Sequence, residues 1–125
     1  MSRTITAIAI FIVIIGLAIF ESAYTINVSE QVENELSTAL EEFLAENQEQ
    51  AEKHIENAEK IWQENTTVLD AFLVHDDTET IADEISYAKN TLKYNNGHFP
   101  IECEKAIDSL KIIIYTMIPF LDNIL

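Results

Sequence analysis

The chain has 125 residues, with 7 Lys and Arg against 22 Asp and Glu, for a net charge of −15. So acidic a body repels phosphate backbones and anionic lipid surfaces, which excludes nucleic acid as a partner. Gly and Pro number 2 each, too few for the tight turns of a β-rich fold, and the lone Cys103 excludes an internal disulfide.

The charge is unevenly placed. Residues 5–20 carry none, and every acidic residue lies at Glu21 or beyond. At 1.5 Å per residue this run covers about 24 Å, and Thr4 with residues 22–24 extends it to the roughly 30 Å of a hydrocarbon core. Helix is the one single-span structure that satisfies its own backbone in lipid, so the dense β-branching is no obstacle. Tyr24 falls where an interfacial aromatic belongs. A cleaved secretory signal is the competing reading. It fails on the small residues that cleavage needs, because Glu21 or Phe20 occupies the third-last place before any cut near Ala23 or Ser22. Residues 1–24 are therefore expected to be an uncleaved transmembrane anchor, and 25–125 an acidic extracytoplasmic body. Arg3 keeps the N-terminus cytoplasmic by the positive-inside bias. Only Met1 to Arg3 precede the span so extended, so no cytoplasmic output domain is expected.

Beyond Thr25 apolar residues recur at helical spacing: Val32, Leu36, Ala39 and Phe43, with Leu40 and Leu44 widening the stripe. After a polar run at 46–50 a second stripe begins, with Ala51, Ile55, Ala58, Trp62, Asn65, Leu69 and Phe72. The two are out of phase by one residue, about 100° of rotation, which predicts two helices rather than one. Asp76-x-x-Glu79 has the form of a capping box, with Asp76 as cap of a helix beginning near Asp77 or Thr78. Its stripe is Ile81, Ile85, Ala88 and Leu92. Asn95-Asn96-Gly97 should end it in a left-handed turn, with Pro100 in the first turn of the next helix. The last stripe is Cys103, Ile107, Leu110, Ile114, Met117, Leu121 and Ile124, and Pro119 predicts a kink or stop near Ile118. Repeated four–three spacing on short segments predicts an all-α fold, an N-terminal transmembrane helix followed by an antiparallel four-helix bundle. The lesser alternative is a long first helix with a three-helix body.

Trp62 ahead of the central turn, Phe72-x-x-His75-Asp76 leading into it, and the closing Asn123-Ile124-Leu125 carry a resemblance. The chain resembles a family of small membrane-anchored helical proteins of unknown function from low-GC Gram-positive bacteria. The resemblance implies a membrane helix with an acidic helical body, and no activity.

Few residues are candidates for chemistry. His75 with Asp76, Asp77 and Glu79 has metal-like composition, but a site needs three or four converging ligands, and aspartates at a turn more often serve the next helix. Cys103 is flanked by Glu102 and Glu104, which disfavour a thiolate, and it occupies a core position. Trp62 on a stripe reads as core, and Asn65 on the same stripe needs a partner. Asn65-Thr66-Thr67 matches a glycosylation acceptor only by chance, being mid-helix. No catalytic, cofactor-binding or metal site is expected. The expected function is a non-enzymatic, membrane-tethered module that binds or scaffolds another envelope protein. The alternative is an extracytoplasmic bundle that senses a ligand or cation and acts through a membrane partner.

Overall fold

No glycine, proline or capping residue separates the apolar run from the acidic one, so nothing in the local chemistry ends a helix there. The computed structural model describes residues 2–73 and 75–124, the stretch 119–124 by backbone only. Its first helix, α1, is Ser2–Leu44, unbroken over 43 residues. The expected boundary at 24/25 thus falls in mid-helix, and the anchor stretch and the first core helix are one element. The residues on either side of Phe20 differ in polarity but hardly in helix propensity, so the helix continues. Three more helices follow: α2 Gln48–Phe72, α3 His75–Tyr94 and α4 Phe99–Ile124, the last preceded by a 3-10 turn at Asn96–His98. The described residues contain no strand. Among the described residues the α-helices number four, rather than an anchor plus four.

Along α1 the environment changes. Its most apolar 18-residue stretch has a mean hydropathy of 2.5, and none of it is buried. From Ser22 onward one face turns inward, burying Ser22, Thr25, Val28, Ser29, Val32, Leu36 and Ala39. The small polar members at the start of this face were not legible as core, because no apolar stripe marks them.

Helix α1 ends in a Schellman motif. Asn47 N–H donates to the Glu42 carbonyl (2.8 Å), Glu46 N–H to that of Phe43 (3.0 Å), and Glu46 takes φ 65°. The left-handed position is therefore filled by a glutamate, which explains how the chain turns with no glycine. An L-residue there costs roughly 1–2 kcal/mol, so Glu46→Gly should raise stability by up to about 1 kcal/mol after glycine's own entropy cost. Urea denaturation of the two proteins measures it. Asn95-Asn96-Gly97 behaves oppositely. Asn95 has φ −153°, no glycine has positive φ, and the 3-10 turn makes the connection.

Each helix packs on its neighbours in chain order, and α4 closes back on α1. Contacts fix the directions. On α1 and α4, Phe43 meets Phe99 (centroids 5.1 Å), the Leu36 carbonyl meets Cys103, and Glu33 meets Lys111. On α1 and α2, Glu35 meets His54, and Tyr24 meets Asn65 and Phe72. Both pairs run in opposite directions. The resulting helical bundle has one core, in which Ile55, Trp62, Leu69, Ile85, Leu92, Phe99 and Leu110 are wholly buried. Leu44, expected on the first stripe, is 68% exposed because it lies at the helix end.

Two joints differ from expectation. Helix α3 begins at His75, so Asp76 and Asp77 lie within its first turn, where they favour the helix dipole instead of capping. Val74, just ahead, is outside the described residues. In α4 the stop expected near Ile118 is absent, and the helix runs through Pro119 to Ile124. Proline forfeits one backbone bond there, and the helix continues for five further residues. The end of the Asn-Ile-Leu tail, Leu125, lies outside the described residues.

Candidate functional site

The end of the bundle nearest the exposed half of α1 gathers most of the polar and aromatic residues singled out from the sequence. Phe72 ends α2 and packs edge-on against Phe20 and Tyr24 of α1, with ring centroids 6.2 and 6.1 Å away. The ring thus lies sideways, across to α1. The Tyr24 hydroxyl donates to the Asn65 side-chain carbonyl, and the Asn65 amide donates to the Ile61 carbonyl at 2.7 Å. Asn65 therefore has the partner its stripe position required, and it fixes the register of α2 against α1.

At the joint, His75 is 70% exposed and sits 3.4 Å from Asp70 on one side and 3.5 Å from Glu79 on the other. It links the last turn of α2 to the first turn of α3. Asp76 and Asp77 are exposed beside it. Among the described residues no three His, Cys, Asp or Glu side chains converge as a metal-binding group. The joint is arranged as a set of surface polar contacts.

The other reactive groups have structural surroundings. Trp62 is fully buried and donates its indole N–H to the Thr78 carbonyl at 3.0 Å, which ties α2 to the start of α3. Cys103 is buried, with Sγ 3.3 Å from the Leu36 carbonyl. Burial, reinforced by Glu104, pushes its thiol up to about 12, so it stays protonated at neutral pH. His54 Nδ1 lies 2.7 Å from Glu35 and joins α2 to α1 midway along the bundle.

A polar cluster that sequence reasoning missed lies between α2 and α3. Glu59 accepts from Lys89 Nζ (3.0 Å) and from Ser86 Oγ (2.9 Å). Burial alone would raise the Glu59 carboxyl, but Lys89, Ser86 and the Lys93 charge together hold it below the ordinary carboxylate value. A depressed folded pKa stabilises the fold above the ordinary carboxylate range and is lost as pH falls through the folded value. Lys89→Met should therefore cost about 1–2 kcal/mol near pH 7, and the cost should shrink below about pH 4. Urea denaturation at the two pH values reads this directly. The signal was present in the sequence, since Glu59 flanks the second stripe while Ser86 and Lys89 flank the third, but only the pairing of α2 with α3 brings them together.

A groove of about 240 Å³ opens between α3 and α4, lined by Leu73, Ile81, Ile112, Ile113 and Met117, with Asp77 and Thr80 among its polar residues. Its lining mixes apolar and polar side chains and contains no cysteine or histidine.

These features define an all-helical bundle whose first helix carries a long, uncovered apolar extension. The chain belongs to the family described as a domain of unknown function (DUF4363), whose model matches residues 19–124. The match begins at the last apolar turn of the run and takes in the whole bundle. No curated protein and no solved structure matches the chain.

Proposed function

We propose that the protein is a non-enzymatic, membrane-tethered antiparallel four-helix module that binds or scaffolds another protein of the cell envelope. The observation that carries the reading is α1, a single helix whose first half is apolar and nowhere buried while its second half lines the core. Lipid is the solvent that such a first half suits, and its helix is long and apolar enough to cross a membrane. Arg3 supplies the only basic side chain near the span, which favours a cytoplasmic N-terminus and an extracytoplasmic bundle. The side chains with reactive chemistry serve packing and register: Cys103 is buried and protonated, and Trp62 is committed to Thr78.

Topology is tested by labelling Cys103 with an impermeant thiol reagent on intact protoplasts, after mild denaturation exposes it. Labelling without permeabilisation is expected, and labelling that requires permeabilisation contradicts the orientation. Partner binding is tested with a photo-crosslinker at Tyr87, exposed on α3. A discrete crosslinked species in cells is expected, and a lone monomer at every crosslinker dose argues against a scaffold.

The groove between α3 and α4 favours a second reading, a ligand- or cation-sensing bundle acting through a membrane partner. A specific thermal shift of the full chain with a small molecule or divalent cation, removed by Ile112→Arg, would favour it over the scaffold.

A further inference from the structure

The outward face of α4 changes character partway down. Its upper part carries Glu104, Lys105, Asp108 and Lys111, and from Ile112 to Leu121 the sequence has no charge. Ile112, Tyr115 and Ile118 stand exposed on this lower part, at 66%, 67% and 39%. An acidic, water-facing bundle has no reason to collect large apolar side chains on one helix face in one place.

Register with α1 shows where this face sits. Cys103 lies level with Leu36, and Lys111 with Glu33, on oppositely directed helices. Continued downward, these pairs put Ile118 level with residues 21–26 of α1 and Tyr115 level with 24–29. Tyr24 closes the roughly 30 Å span, and at 1.5 Å per residue Ile118 is within about 5 Å of its level and Tyr115 about 0–8 Å beyond it. The headgroup zone beyond the hydrocarbon is about 5–8 Å thick on each side. The lower face of α4 and the Phe20–Tyr24–Phe72 ring cluster therefore lie at one level, that of a membrane interface, where tyrosine is favoured. Below Ile118 the α4 backbone continues helically to Ile124.

We propose that the C-terminal half of α4 is a second membrane contact, its Tyr115–Ile118 face seated in the headgroup layer of the bilayer that α1 crosses. This rests on the reading of α1 as a membrane span. The two contacts would hold the bundle against the bilayer on its α1–α4 side. The same end of the bundle carries Asp70, Asp76, Asp77 and Glu79, with Asp77 beside Ile112 in the α3–α4 groove, so the surface suits a zwitterionic lipid rather than an anionic one.

The test uses the full chain with Cys103→Ala, bearing Tyr115→Cys, Ile118→Cys, Tyr94→Cys or Phe11→Cys, each labelled with an environment-sensitive fluorophore. The proteins are reconstituted in phosphatidylcholine vesicles, with or without lipid that carries a quencher just below the headgroup. Labels at 115 and 118 should be quenched about twofold, as should the span label at 11, while the label at 94, at the far end of the bundle, should be unaffected. Quenching at 11 with none at 115 and 118 overturns the proposal and leaves the span intact. Blue-shifted emission at 115 and 118 that the lipid quencher does not touch also overturns it, and shows protein covering that face. Absence of quenching at 11 removes the span itself, and the proposal with it.

Discussion

Trp62→Ala should destabilise the bundle by about 3–5 kcal/mol, enough to unfold much of a domain this size near body temperature. The ring is fully buried in the core, so its removal leaves a cavity beside Ala82 and Ile85 that helices cannot easily close. Part of the loss is polar, since the Thr78 carbonyl forfeits its indole donor. Trp62→Phe separates the two contributions: it keeps most of the ring and drops the bond, and should cost about 1–3 kcal/mol. Urea unfolding of both variants checks the order. Equal costs would mean that the hydrogen bond, rather than packing, holds α2 to the start of α3.

The largest effect on location is expected from charge in the apolar half of α1. One arginine at a bilayer centre costs about 2.5–3.5 kcal/mol, so the double variant Ile10→Arg with Val13→Arg should lose about 5–7 kcal/mol of insertion energy. Both side chains are exposed and lie outside the bundle core. The variant should therefore move from the carbonate-resistant membrane fraction to the soluble one with its melting temperature unchanged. A variant that stays with the membrane would show that something other than this segment holds the chain there.

Much of the fold was legible because helical spacing depends on burial alone. The one-residue slip between Phe43 and Ala51 marked a break that carries no glycine or proline, and the chain does turn between Leu44 and Gln48. The stripe residues Ala51, Ile55, Ala58, Trp62 and Leu69 are all buried, as are Ile81, Ile85, Ala88 and Leu92. Asn65 needed a partner by its position, although the sequence could not indicate that Tyr24, far away along the chain, would supply it. What was illegible depends on backbone geometry or on pairing. The change of polarity at Glu21 looked like a structural boundary, but helix formation is indifferent to which solvent surrounds the side chains. Asn-Gly suggested a left-handed turn that the chain makes at Glu46 instead. Asp76 looked like a cap, yet helix α3 starts one residue before it. The Glu59–Ser86–Lys89 cluster exists only once α2 lies beside α3, and the match to a domain of unknown function carries no activity from which a site could be inferred.

The central claim is that one unbroken helix carries the chain from the apolar segment into the bundle core. Amide hydrogen exchange across residues 18–29 of the full chain in lipid nanodiscs tests it most directly. Continuous protection through Phe20, Tyr24 and Val28, slowed to the level of the bundle core, is the predicted result. Exchange at unfolded rates anywhere between Phe20 and Val28 would reveal a hinge between anchor and bundle and would contradict it.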